Sequence, residues 1–529
     1  MADPARPSHP ALVLTATGLG LFMIFLDATI VNVALPSIQE DFSIGESGLQ
    51  WVVAAYSLTM GMFMMTSASI ADRWGRRRTF VLGLVVFCGA SLACALAPGI
   101  GVLNITRGLQ GVGAAVVNVA SLALVGAAYT DPAAKTRAVG LWTGIAAVGL
   151  AIGPTVGGVL TDSLGWRSIF VVNPVVGGIA IVLTYTFVRE SSDPEGHSFD
   201  PIGQVLFIVA IGALAFALVE APVHGFSSAA ILVPLVGSAV VLVVFARFEL
   251  RSRDPMMDVR VFANVPYTAA ITTMFTVLFC AYGTLLVVTQ YFQNIEGYSA
   301  ERTGALLLAF SLPSMVMAPI AGRLSAHFGG RRPTLAGIAS VCVGTVLLAV
   351  GVGGPLWIVL LGLLFLGNGA GLSVAPATAV GMASIRPERS GMASGILSTQ
   401  RGLGSTAGFA VMGSVLAIVV ASQLPDKLET AVPDPAERIE VAADVEEDAN
   451  PQAVPSINAK APTTDAYDRP EVVDAADGAF VDGIRIAELV GFLLVAATFV
   501  FGWFAFPRSE ADERSDELAE AATLDAEEP

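Results

Sequence analysis

Two single charges, Asp27 and Arg107, stand inside long apolar stretches. Ionised side chains at membrane depth are costly, so those that occur there usually serve a function. A carboxyl group and a guanidinium can pair, and the pair offsets part of the desolvation cost that each would bear alone. Desolvation penalises the charged carboxylate while a nearby guanidinium favours it, so small movements can switch such an acid between protonated and ionised forms. That is the chemistry a proton-coupled carrier requires. Gln110 and Asn118 follow Arg107 at spacings of three and eleven, which places all three near one helical face. A polar stripe through lipid should face a cavity. Asn32, Asn173, Gln290 and Asn368 are further polar residues in apolar surroundings; each could line that cavity or bond between helices. Trp51, Tyr56, Tyr282 and Tyr291 could stack on a ligand or anchor at the membrane interface. Glu220 and Glu488 lie near the outer ends of their stretches and are expected to face the interface.

The elements that must position these residues are membrane spans. With 54% hydrophobic and 14% charged residues and a mean hydropathy of +0.71, most of the chain is solvated by lipid. Apolar stretches of roughly 20 residues, each long enough to cross a core of about 30 Å, recur from Ala11 to Phe506. Fourteen are expected, the first over Ala11 to Leu35 and the last over Arg485 to Phe506. Asp27 would lie about 12 Å, and Arg107 about 9 Å, from the outer ends of their spans. The two charges therefore share a depth. In the fifth span, Gly149, Gly153, Gly157 and Gly158 recur around Pro154, which permits close helix approach together with a bend.

Arginine and lysine fix the orientation, because short basic loops stay in the cytoplasm. An amino terminus inside places sixteen basic residues in inner loops against Arg167 and Arg302 in short outer ones. An even number of spans then makes both termini cytoplasmic. The formal charge of −16 does not belong to the membrane body. Gln423 to Ile484, the longest connection, carries a net −11, and the tail from Arg508 a net −7, which leaves the remainder near +2. Both acidic segments are expected to be solvated spacers, and no nucleic-acid partner is expected. The first stretch is too long for a cleaved signal and runs into Asp27 and Asn32. Cys88, Cys94, Cys280 and Cys342 lie in separate spans without a pairing pattern. His9, His197, His224 and His327 are scattered, so no metal site and no enzymatic constellation are expected. The lysines, Lys135, Lys427 and Lys460, lack the glycine-rich context of a nucleotide-binding loop, which excludes an ATP-driven pump.

Several phrases together resemble the major facilitator superfamily, and within it the fourteen-helix drug:proton antiporter branch. Ala68-Ser69-Ile70-Ala71-Asp72-Arg73-Trp74-Gly75-Arg76-Arg77 is similar to the family's loop between helices 2 and 3, with Ala68 in place of its first glycine. Thr106-Arg107-Gly108-Leu109-Gln110-Gly111 resembles the helix 4 arginine motif, Gly149 through Leu160 the helix 5 antiporter motif, and Leu26 through Pro36 the helix 1 signature. Gln290-Tyr291-Phe292-Gln293 and Arg401-Gly402-Leu403-Gly404 look like branch features as well. An internal repeat supports the same architecture: Gly322 to Arg332 aligns with Ala68 to Arg78, with Ala326 where Asp72 stands.

The expected fold is all-α and membrane-embedded, two six-helix bundles with two inserted helices. The divisions are 1–190, 191–260 and 261–507, with an acidic outer loop at 422–484 and an acidic cytoplasmic tail at 508–529. The resemblance implies export of amphipathic drugs, dyes or antiseptics in exchange for protons, with H⁺ as coupling ion and no other cofactor. In this reading the residues themselves give Asp27 and Arg107 the coupling role, with Asn32, Gln110, Asn118, Tyr282, Gln290 and Asn368 as the substrate cavity. The resemblance makes Asp72, with Arg73, Gly75, Arg76 and Arg77, a latch to the opposite bundle. The alternative is a carrier of the same fold that exports a native metabolite or lipid, since one scaffold serves many cargoes. A single chain is expected to suffice, in the plasma membrane of a bacterium, given the preponderance of Arg over Lys and the abundance of Ala, Gly and Val.

Overall fold

The computed structural model describes residues 10–508 apart from 45, 130, 193–199, 225–227, 253–254, 256, 386–389 and 430–469. Among the described residues there is no strand. The amino-terminal bundle comprises α1 (Pro10–Phe42), α2 (Glu46–Trp74), α3 (Arg76–Ala95), α4 (Ile100–Ala128), α5 (Pro132–Leu164) and α6 (Ser168–Phe187). Two further helices follow, α7 (Pro201–His224) and α8 (Ala229–Arg251). The carboxy-terminal bundle begins with α9 (Val265–Gln290), which ends in a π-helical turn over Tyr291–Ile295. It continues with the short α10 (Ala300–Leu306), α11 (Leu308–Phe328), α12 (Arg331–Gly351), α13 (Leu356–Ala383), α14 (Ser390–Lys427) and α15 (Pro470–Ala505). Thirteen segments are long and apolar enough to cross a membrane. One of these joins α10 and α11 across Leu307, and α2 supplies a fourteenth long helix.

Two departures from the sequence expectation concern the acidic connection and the last span. The ends of the connection are helical: α14 runs on to Lys427, and α15 starts at Pro470 rather than near Arg485. Lys427 Nζ donates to Asp482 Oδ2 at 2.8 Å, tying the two extensions together. Asp474, Asp477 and Asp482 lower the hydropathy of the start of α15, so a reading based on hydropathy begins the helix late. The middle of the connection, 430–469, and the tail from 509 lie outside the described residues.

Close packing within each bundle follows from small residues. A Cβ on Gly149 would lie 2.6 Å from the Phe22 carbonyl oxygen, and one on Gly157 would lie 2.5 Å from that of Ile30. Gly153 faces Thr29 just as tightly, so α5 is laid against α1 along this whole edge. The carboxy-terminal bundle repeats the device, with Gly404 and Gly408 of α14 set against the carbonyls of Phe275 and Phe279 in α9. The repeat first visible in the loops thus extends to the helix contacts. Gly158 differs from the other glycines of α5: a Cβ there would lie 2.5 Å from the Ala300 carbonyl oxygen of the other bundle.

Hydrogen bonds between the bundles run from mid-helix to the end opposite the termini. Thr399 Oγ1 donates to the Gly61 carbonyl at 3.1 Å, and Gln293 Nε2 to that of Val33 at 3.2 Å. Asp162 Oδ2 accepts from the Glu301 backbone N–H at 2.8 Å, so a side chain of α5 caps α10. Beside this seam, α7 bonds to both bundles. Gln204 Nε2 donates to the Met62 carbonyl at 3.0 Å, and Ser414 Oγ donates to that of Leu218 at 3.0 Å. Glu220 accepts from the Trp51 indole at 2.8 Å, so its carboxylate is held against α2. Val233, Val236, Val240 and Val243 of α8 are exposed, as a lipid-facing helix requires.

Candidate functional site

Asp27 sits in α1 one turn before Val31, on the face turned away from α5 and toward α3, α4 and α6. Its carboxylate and Arg107 are both 0% exposed. Arg107 Nη1 donates to Asp27 Oδ2 at 2.5 Å and to Gln110 Oε1 at 2.8 Å. Gln110, one turn along α4, reaches back through Nε2 to Asp27 Oδ1 at 2.8 Å. The i, i+3 spacing noted in the sequence therefore delivers both side chains to one carboxylate. Asn173 of α6 completes the group, donating to Asp27 Oδ1 at 2.6 Å and to Ser91 Oγ of α3 at 2.9 Å. Ser91 in turn donates to the Phe170 carbonyl at 2.8 Å.

Arg107 is held on its other side as well. Its Nε donates to the Val52 carbonyl of α2 at 2.9 Å, and its guanidinium carbon lies 4.4 Å from the Tyr56 ring centroid. Tyr56 is itself fixed by a 2.9 Å bond from its hydroxyl to the Ile24 carbonyl. Tyr56 is thus the platform for Arg107, a role that the sequence reading, which offered ligand stacking or interfacial anchoring, did not anticipate. The acid consequently accepts three hydrogen bonds from two helices, while its counter-ion keeps contacts that do not depend on it. Asn173 was visible only as one polar residue in an apolar span; nothing in its spacing pointed to Asp27.

The remaining cavity candidates separate into different places. Asn32, one turn and a half beyond Asp27 on α1, is 1% exposed, and among the described residues neither atom of its amide has a hydrogen-bond partner. Gln290 is buried near the end of α9, and Tyr282, on the same helix, packs edge-on against Phe409 of α14 at 5.7 Å between centroids. Asn118 is half-buried on α4, toward the terminal end from Arg107. Asn368 donates to Ser340 Oγ at 3.0 Å, bonding α13 to α12, away from the Asp27 group.

Glu488 corrects an expectation. Its place near the outer start of the last span predicts the interface, but the longer α15 puts it mid-helix and 0% exposed. Thr284 Oγ1 of α9 donates to its Oε1 at 2.8 Å, and its Oε2 is buried without a partner among the described residues. Neighbouring Cys280 donates to the Gly491 carbonyl at 3.5 Å. The carboxy-terminal bundle therefore has its own buried acid where its first and last helices meet, as Asp27 and Asn173 meet in the amino-terminal one.

At the terminal end, Gly75 caps α3 with φ of 110°, a left-handed conformation that favours glycine. The Arg77 and Arg78 backbone N–H groups donate to the Glu190 carboxylate at 2.9 and 3.2 Å, and Arg77 Nη1 donates to the Val188 carbonyl at 3.2 Å. This part of the motif is thus fastened to the end of α6 in its own bundle, through an acid that the sequence reading did not single out. Arg73 is exposed at the end of α2, Arg76 is half-buried at the start of α3, and the Asp72 side chain lies outside the described residues.

Comparison with known proteins places this geometry. The family model described as Major Facilitator Superfamily matches residues 17–409. Multidrug resistance protein Stp of Mycobacterium tuberculosis is 46% identical, covering 97% of this chain and 96% of that protein. Drug efflux pump JefA of the same organism is 39% identical over 94% and 99%. The tetracenomycin C resistance and export protein of Streptomyces glaucescens is 30% identical over 96% and 94%. Among solved structures, an inward-facing bacterial homologue of the lysosomal transporter Spinster superposes with a TM-score of 0.61 at 15% identity, covering 94% of this chain and 97% of its own. A D-xylose–proton symporter gives 0.61 at 13% identity, over 95% and 99%. At such identities these two support the fold alone. The matched model spans both bundles, and the relatives match nearly end to end: the chain belongs to the Major Facilitator Superfamily and is a multi-pass membrane transporter, not an enzyme.

Proposed function

We propose that the chain exports amphipathic small molecules of the drug, dye or antiseptic type in exchange for protons, by alternating access of its two bundles. The names of the similar proteins support the cargo class. The observation that carries the proton-coupling reading is the Asp27 carboxylate, sealed at 0% exposure with Arg107 and the amides of Gln110 and Asn173. Removing one member of a buried ion pair costs about 3–5 kcal/mol, because the other is left uncompensated. Opening the pair is therefore far easier when Asp27 takes a proton. Arg107 then retains the Val52 carbonyl, Gln110 Oε1 and the Tyr56 ring, so its charge is not abandoned. Protonation releases α1 from α4, and ionisation draws the helices together again.

The cavity in this reading lies between the bundles, with Asn32, Gln110, Asn118, Tyr282 and Gln290 among its residues. Bonds across the seam close the end opposite the termini, which supports a state open toward the terminal end. The positive-inside asymmetry makes that end cytoplasmic, in the plasma membrane of a bacterium. One chain carries the whole site and acts alone. Gly75, Arg76 and Arg77 hold the loop against α6, and in this reading Asp72 and Arg73 form the latch to the carboxy-terminal bundle when the terminal end closes. The test is transport in inverted vesicles: a fluorescent amphipathic dye should accumulate with an acid-inside gradient and leak out when nigericin collapses it. Accumulation that is indifferent to nigericin overturns proton coupling.

A further inference from the structure

Arg401 is a second guanidinium at membrane depth, and its situation is the reverse of that of Arg107. It lies eleven positions into α14, about 16 Å from Ser390 along the helix axis and inside the apolar span that begins at Gly395. It is only half-buried, and among the described residues no carboxylate and no hydrogen bond holds its guanidinium. An unpaired cation at this depth has to meet water or a ligand rather than lipid.

Its neighbours place it at the centre of the molecule. The next residue, Gly402, faces α2, where a Cβ would lie 3.1 Å from the Ser57 carbonyl oxygen, and Thr399 is bonded to Gly61 of the same helix. This part of α14 is therefore on the seam between the bundles. Tyr282 of α9 is within electrostatic reach of both Arg401 and Tyr56. Tyr56 is the ring on which Arg107 stacks. Arg401 and the Asp27 group thus flank one central region from opposite bundles. Asp27 and Arg107 cancel one another, and Glu488 is closed off between α9 and α15. Among the described residues, the uncompensated charge in this region is that of Arg401. A positive charge in a cleft with low-dielectric walls attracts anions and repels cations. Beside it, Tyr282 keeps 8% of its surface exposed and is braced edge-on by the fully buried Phe409, so a rigid aromatic edge borders the same region.

We propose that Arg401 selects the charge of the cargo, receiving the carboxylate or other acidic group of an amphiphilic anion while Tyr282, braced by Phe409, borders its apolar part. A guanidinium matches a carboxylate with two parallel hydrogen bonds, a geometry that an ammonium does not reproduce. The proposal rests on the export reading and narrows its substrate class.

The test is equilibrium binding to the full chain in lipid nanodiscs, corrected for empty nanodiscs, with pyrenebutyrate, its methyl ester and a pyrenyl trimethylammonium cation. The unaltered chain should bind the acid roughly tenfold or more tightly than the ester or the cation, as expected for a charge-assisted contact. Arg401→Gln should lower the acid to the level of the ester and leave the ester unchanged, with Arg401→Lys in between. Equal binding of acid and ester by the unaltered chain overturns the proposal even if the variants fail to fold, as does an acid preference that survives Arg401→Gln. Acid preference without transport in vesicles would count against the export reading and leave this one standing; transport without acid preference would do the opposite.

Discussion

At the scale of single residues, the two bundles treat their buried acids differently. Asp27 is surrounded by a counter-ion and two amides on separate helices, so its state is felt by α3, α4 and α6 together. Glu488 has a single hydroxyl partner and belongs to a contact between two helices of one bundle. Thr284→Val should therefore destabilise the detergent-solubilised protein by about 1–3 kcal/mol, seen as a lower Tm, because it leaves a buried carboxyl without its donor. An unchanged Tm would mean that the Thr284 bond carries no net stability. Arg107→Lys keeps the charge but loses the fork that serves Asp27, Gln110 and the Val52 carbonyl together. We expect at least a tenfold loss of proton-driven transport, measured against an expression-matched control. The Asp27–Arg107–Gln110 part of the site was legible because charges in lipid are rare and helical spacing is rigid. Asn173, Ser91, Tyr56 and Glu190 were not, since each gains its meaning from a helix distant in sequence. Glu488 was misjudged for a different reason: hydropathy drew the start of its helix fifteen residues late, which moved a central acid to the margin.

At the scale of elements, α5 has two faces with separate tasks. Gly149, Gly153 and Gly157 hold it to α1 inside one bundle, whereas Gly158, Pro154 and Thr155 meet α10, with Thr155 Oγ1 donating to the Gly304 carbonyl at 3.3 Å. Period four was visible in the sequence; the division between contacts within a bundle and contacts across the seam was not, because Gly157 and Gly158 are adjacent and only the partner helices distinguish them. The two faces should fail in different ways. Gly149→Val forces α5 off the Phe22 carbonyl and should lower the Tm. Gly158→Val pushes on the Ala300 carbonyl across the seam and should leave the Tm nearly unchanged while weakening closure. Disulfide trapping between Asp162→Cys and Glu301→Cys reports this directly, and its rate should fall severalfold in the Gly158→Val background. An undiminished trapping rate would place the gate elsewhere.

For the whole molecule, two bundles of the same plan meet along α2 and α14 at one edge and α5 and α10 at the other. The inserted α7 bonds to both α2 and α14, so it spans the first seam. The class, the near-doubling of the bundle and the inserted pair followed from hydropathy and the repeated loop phrase; the position of α7 did not, because nothing in an apolar stretch says which helices it lies against. Since the Lys427–Asp482 ion pair and the packed ends of α14 and α15 already close the acidic connection, replacing 432–467 by a short Gly-Ser linker should preserve dye transport within about twofold. Loss of transport with a normal Tm would assign that segment a role in the cycle.

Proton exchange at Asp27 is the claim on which the mechanism turns. Its most direct test is acridine-reported ΔpH in inverted vesicles loaded with acid, to which a transported dye is then added. The unaltered chain should dissipate the gradient on dye addition, and Asp27→Asn, inserted in equal amount, should not. Equal dissipation by both would contradict the account and leave Asp27 as a structural partner of Arg107.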